Sequence, residues 1–138
     1  MMTTAVPLTL YLLILIGGYE LAAGLAGFTG RINFQAMIDE FGRSPSLAFM
    51  TGFIVYIIGG ILVMVHHHWT DLPAIIVSAI GWIAVAEGLL IMVLPKPVLA
   101  FSRPFVERQR GVSLFAMLFG VVLILLGFFG RVGLPALI

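Results

Sequence analysis

The apolar residues of this chain fall into four long blocks rather than an alternating or one-sided rhythm. A bilayer-spanning helix takes about 20 predominantly apolar residues. Four stretches reach that length: residues 6–28, 47–65, 73–94 and 112–130. Glu20 is the one charge in the first and Glu87 the one charge in the third, while the second and fourth carry none. Runs such as LYLLILI and VVLILLGFF are apolar on every side, so they predict helices with lipid on at least part of their surface. None of the four alternates apolar with polar residues, which argues against a strand barrel. No basic residue precedes the first block and the block is too long for a cleaved leader, although LAAGLAG is rich in small residues like a cleavage site; it is expected to stay in the mature protein.

The segments between blocks differ in charge. Arg31 and Arg43 follow the first span, and Lys96, Arg103, Arg108 and Arg110 follow the third. HHHWTDLP, after the second, has no Lys or Arg, and the C-terminal tail has only Arg131. Short basic loops stay in the cytoplasm, so both longer loops are expected there and both termini on the other side. Each basic loop holds amphipathic helical material. In residues 32–41, Phe34, Met37, Ile38 and Phe41 recur at intervals of three and four opposite Asn33, Gln35, Asp39 and Glu40. Residues 98–110 repeat this more weakly and are expected to be interrupted at Pro104. Such helices lie in the headgroup plane or pack beneath the bundle. Trp69 falls where an interfacial aromatic belt would sit, and Trp82 lies inside the third span.

Composition narrows the class further. Of 138 residues, 62% are apolar and 9% charged, with no Cys and a net charge of +1. Soluble domains carry about 25% charged residues. A soluble globular domain, a disordered chain, a disulfide scaffold and a thiolate metal site are therefore excluded, and nothing calls for a nucleic-acid partner. The chain reads as a small all-α integral membrane protein of four transmembrane helices.

Shifted by 67 residues, the chain overlays itself. Glu20 falls on Glu87, Phe34 on Phe101, Glu40 on Glu107, Arg43 on Arg110, Ser46 on Ser113 and Leu47 on Leu114. Met50, Val55, Ile57 and Gly60 fall on Met117, Val122, Ile124 and Gly127, and the chain's four Glu all pair off. This predicts two copies of one unit, helix with Glu, amphipathic segment, helix, spanning residues 1–70 and 71–138. Each copy has two spans, so both enter the membrane in the same sense. A four-helix bundle with a pseudo-twofold axis along the membrane normal follows, unlike an inverted repeat.

In the second copy the run AEGLLIMVLPKPV (Glu87, Gly88, Leu89, Met92, Pro95, Lys96) resembles the YjeT-like family of short two-span bacterial inner-membrane proteins. Members carry a helix ending in Glu-Gly-Leu, then Pro-Lys, an amphipathic segment and a second apolar helix. The resemblance covers roughly residues 78–130. The first copy keeps the Glu but has Leu21 and Ala22 in place of Gly-Leu, and Phe28 in place of Pro. The family's biochemical function is not established, so the resemblance implies the bacterial inner membrane and little else.

Glu20 and Glu87 lie roughly 10 Å inside their spans at 1.5 Å per residue, where an acid is by default a functional candidate. Three roles compete: a neutral acid bonding a neighbouring helix, a pair with a loop arginine such as Arg43 or Arg110, or a proton or cation site where the two acids meet. Glu40, Arg43, Glu107 and Arg110 are the candidate loop charge partners. Thr9, Tyr11, Tyr19, Thr51, Tyr56, Ser78 and Ser113 are the further polar candidates within the spans. Ala23, Gly27, Ala84, Gly88, Gly60 and Gly127 are candidate helix-packing positions, because small residues let helices approach closely. His66, His67 and His68 are weak metal candidates; three consecutive side chains do not all point one way, so an interfacial polar cap is the simpler expectation. The chain lacks a nucleophile elbow, phosphate loop, metalloprotease helix and dinucleotide fingerprint, so no enzyme and no cofactor are expected. An accessory or scaffolding role through packing with itself or a larger membrane assembly is the leading functional reading. A proton- or cation-linked channel or carrier using the paired glutamates is the alternative, with lipid binding by the basic loops a weaker third.

Overall fold

The structure is a computed structural model and describes residues 3–4 and 7–132. In chain order it has β1 (Thr3–Thr4), α1 (Pro7–Phe28), α2 (Phe34–Arg43), α3 (Pro45–Val65), α4 (Leu72–Val93), α5 (Pro95–Glu107), α6 (Gln109–Phe129) and β2 (Arg131–Val132). Helices α1, α3, α4 and α6 are long and apolar enough to cross a membrane, and they match the four blocks of the sequence to within a few residues. The two short strands pair in parallel, Thr3 beside Arg131, and so bring the start of α1 next to the end of α6.

Local chemistry sets the helix boundaries. The Gly30 φ of +71° is a left-handed conformation that ends α1. The Asn33 side chain accepts from the Ala36 N–H at 3.1 Å and starts α2. Ser44 closes α2 through its backbone N–H to the Glu40 carbonyl and opens α3 by accepting from Leu47 N–H at 3.3 Å. Asp71 caps α4 by accepting from Ala74 N–H at 2.9 Å. Pro45, Pro73 and Pro95 occupy first-turn positions, where no N–H is needed. Pro104 does not interrupt α5 as its ring chemistry suggested: the helix runs through it to Glu107 and breaks at Arg108. One ladder bond is lost there, and a short exposed helix with solvent on one side tolerates that.

The spans assemble as two antiparallel pairs, α1 with α6 and α3 with α4, joined mainly where α1 meets α4. Cut near residue 70, the chain does not make two self-contained hairpins, because the main partner of α1 lies at the far end of the sequence. Glycines form the seams. A Cβ placed on Gly17 would sit 2.7 Å from the Gly120 carbonyl oxygen, and one on Gly120 would sit 2.7 Å from the Gly17 carbonyl oxygen. Gly52 and Gly88 repeat this reciprocal approach between α3 and α4, at 2.8 and 2.7 Å. Backbones this close exchange Cα–H···O contacts as well as dispersion. Leu13, Val77 and Leu123 form the fully buried core where α1, α4 and α6 meet.

Of the small residues expected to pack, Gly27 meets Ser113 and Phe34, Gly88 meets Tyr56, and Gly127 meets Ile14. The Ala84 methyl fills the space beside Gly59, and Ala23 is half-buried. Gly60 is the exception: nothing lies within 4 Å of where its Cβ would be. It is one residue, about 100° of helix rotation, away from Gly59, which makes the contact instead. Its partner under the 67-residue shift, Gly127, is buried, so the two matched glycines have unlike surroundings.

Candidate functional site

Two polar places interrupt the apolar bundle, one at each end. At the end where α3 turns into α4, His66 caps α3 with its backbone N–H on the Leu62 carbonyl at 2.9 Å. Its ring turns inward and is fully buried, just above the Leu13–Val77–Leu123 core. Thr9 Oγ1 on α1 lies 2.7 Å from His66 Nε2, and Ser78 Oγ on α4 lies 3.1 Å from His66 Nδ1. Ser78 in turn donates its hydroxyl proton to the His68 carbonyl at 2.8 Å. With that proton committed, Ser78 Oγ accepts from His66 Nδ1–H, and Nε2 shares a second hydrogen bond with the Thr9 hydroxyl. One imidazole thus ties α1, α3 and α4 together. Burial, reinforced by the neighbouring His68, pushes the His66 pKa below its ordinary value, against the pull of its own backbone hydrogen bond and of Asp71.

This arrangement is structural rather than nucleophilic. The Ser78 proton points at a carbonyl and not at the imidazole, and neither side chain is exposed. His68 meets the His66 ring edge-on at 5.2 Å and stacks on His67 at 5.7 Å, and His67 is exposed. The tract is therefore split, with His66 inside and not part of a surface cap. Among the described residues no group of three or more His, Cys, Asp or Glu side chains gathers as a metal site.

At the other end, α2 and α5 pack on one another beneath the spans. Gln109, at the start of α6, stitches the corner together. Its amide NH₂ donates to the Gly27 and Ile32 carbonyls, both at 2.8 Å, and its oxygen accepts from Phe34 N–H at 3.0 Å. One side chain satisfies the end of α1 and the start of α2. Sequence reasoning passed over Gln109, since no local pattern marks a contact with residues more than seventy positions away. The ion pair among the described residues is Arg103–Asp39 at 3.8 Å, with Arg103 57% and Asp39 38% exposed. Glu40, Arg43, Glu107 and Arg110 are all exposed, and the structure does not bring them together.

The two glutamates on the apolar helices differ. Glu20 is half-buried on α1, whereas Glu87 is exposed on α4. Glu87 lies on the wall of a cavity of about 280 Å³ that also takes in Tyr19, Phe41, Thr51, Val98 and Ser102. On its other side Glu87 borders an open cleft of about 530 Å³ between α4 and α5, lined by Ile83, Leu90 and Phe101. Glu20 lines neither space. Of the other span polar residues, Thr9 and Ser78 bind His66, Tyr11 and Tyr19 are 71% exposed, and Ser113 is buried against Gly27 with its hydroxyl unpartnered among the described residues. Comparisons with models of known protein families, with curated proteins and with solved structures find no match for this chain.

Proposed function

We propose that the protein is an accessory or scaffolding subunit of a membrane assembly, acting by lateral helix packing with itself or with larger partners. One observation carries this reading: only 17–22% of the residues in each span are buried within the chain's own fold. Two thin, glycine-seamed pairs leave broad apolar flanks, including Phe115, Phe128 and Phe129, each more than two-thirds exposed. The chain has little polar interior with which to run chemistry.

The duplication belongs to the same reading. The 67-residue shift carries α1 onto α4 and α6 onto α3, so the α1/α6 pair maps onto the α4/α3 pair, which supports two interlocked copies, 1–70 and 71–138, of a YjeT-like unit. Six basic residues on the α2/α5 side support placing that side in the cytoplasm of a bacterial inner membrane, with both termini opposite. A channel using both glutamates has less support, because only Glu87 borders a cavity. The experiment is energy transfer between differently labelled copies in native membranes, with co-purification in mild detergent. Transfer between copies, or a stoichiometric membrane partner, supports the role. A strictly monomeric particle without a partner overturns it.

A further inference from the structure

We infer that the cavity and cleft around Glu87 form a binding site for an amphipathic organic cation, a long-chain alkylammonium in chemical class, entering sideways from the bilayer. The inference goes beyond the accessory role and stands or falls separately from it.

Three features converge on this ligand. Glu87 sits six residues before the end of α4, a helix long and apolar enough to cross a membrane, and an acid within such a span is retained when a cation or a hydrogen-bond donor reaches it. Among the described residues no basic side chain does so, since the ion pair lies elsewhere, at Arg103 and Asp39. The ligand therefore has to bring the positive charge. The second feature is shape. The open cleft between α4 and α5 is walled by Ile83, Leu90, Leu94 and Phe101, an apolar trough suited to an alkyl chain and continuous with lipid. Glu87, Val98 and Ser102 belong to both spaces and so mark the passage from the trough to the inner cavity.

The third feature is the polar complement at that passage. Ser102 Oγ donates its one proton to the Val98 carbonyl at 2.8 Å, which leaves its lone pairs for an incoming N–H. Thr51 also lines the inner cavity. An ammonium at the carboxylate thus shares both spaces with the Ser102 hydroxyl, an acceptor, and has an apolar channel for its tail. A neutral alcohol of the same length would fill the trough but leave the charge uncompensated, so the site discriminates by charge. Small-molecule sites of a few hundred cubic ångströms with few polar groups are of this kind.

The test is equilibrium dialysis of dodecylammonium, with dodecanol as the neutral control, against nanodiscs that carry the full chain and against empty nanodiscs of the same lipid. The expected result is saturable binding of the ammonium above the empty-disc level, weakened about tenfold or more in Glu87→Gln and in Val98→Trp, and unchanged in Glu20→Gln. Labelling of the unaltered protein by dicyclohexylcarbodiimide, read by mass spectrometry, covers the case of a misfolded variant: dodecylammonium should protect Glu87 and not Glu20. Ammonium uptake equal to that of empty discs, uptake retained in folded Glu87→Gln, or equal protection of both glutamates overturns the assignment.

Discussion

Gly88 packs tightly between α3 and α4, and adding one methyl group there tests the packing directly. In Gly88→Ala the new Cβ meets the Tyr56 backbone nitrogen and lies 2.7 Å from the Gly52 carbonyl oxygen, whereas ordinary contact begins at 3.4 Å. Both obstacles are backbone atoms, so no side chain can swing aside. The helices must part by about 1 Å, which forfeits roughly a quarter to a half of the dispersion well for each atom pair along the seam. The reciprocal Cα–H···O contacts, about 0.5–1 kcal/mol each, stretch with it. Over-packing a fitted interface costs about 1–3 kcal/mol, offset by the roughly 0.5–1 kcal/mol by which Ala exceeds Gly in a helix. The expected net loss is about 1–2 kcal/mol. Gly18→Ala and Gly60→Ala provide the baseline, because nothing lies within 4 Å of either Cβ position; each should be neutral or slightly stabilising. Gly52→Ala combined with Gly88→Ala should cost less than the two single changes added together, since the first parting of the helices relieves the second. Reversible unfolding in mixed micelles with rising dodecyl sulfate, followed by far-ultraviolet circular dichroism, measures all of these. If Gly88→Ala proves no less stable than Gly18→Ala, the close-approach argument fails.

His66 gives a pH prediction. Its folded pKa lies below the ordinary 6.5, so the unfolded chain binds the extra proton first and stability falls as pH drops below that value. Stability measured across that range should decline on acidification, and His66→Asn should flatten the decline. Replacing Gln109 with Leu removes its bonds to the Gly27 and Ile32 carbonyls and leaves the Phe34 N–H without its acceptor, at a cost of about 1–3 kcal/mol, and hydrogen exchange at the Phe34 amide should quicken. Arg103→Ala removes only a long, solvent-screened ion pair and should change stability by less than about 0.5 kcal/mol at any ionic strength.

The spans were legible because helix length and lipid contact follow from composition in a single block of sequence. The amphipathic helices were legible for a similar reason: Phe34, Met37, Ile38 and Phe41 declare their face within ten residues. Pairing was not legible. Which of Gly59 and Gly60 faces α4 depends on a rotation of one residue, and apolar surroundings on every side give no periodicity to set it. His66 looked like part of a surface tract because Thr9 and Ser78, the groups that bury it, sit 57 and 12 residues away. Glu20 and Glu87 look equivalent in the alignment, but the fold gives a cavity wall to one and not to the other. Burial of that kind is set by tertiary placement of α2 and α5, which local sequence does not encode.

The interlocked pairing of spans is open to one direct measurement, since the chain has no native cysteine. Leu13 on α1 and Leu123 on α6 share the buried core, and Gly81 on α4 faces Val63 on α3. Oxidative cross-linking in native membranes of the double variants Leu13→Cys with Leu123→Cys, and Val63→Cys with Gly81→Cys, should give rapid intramolecular disulfides. Leu13→Cys with Gly60→Cys, which a hairpin of α1 against α3 would bring together, should stay reduced. Rapid cross-linking of that last variant with none in the first two would contradict the fold described here.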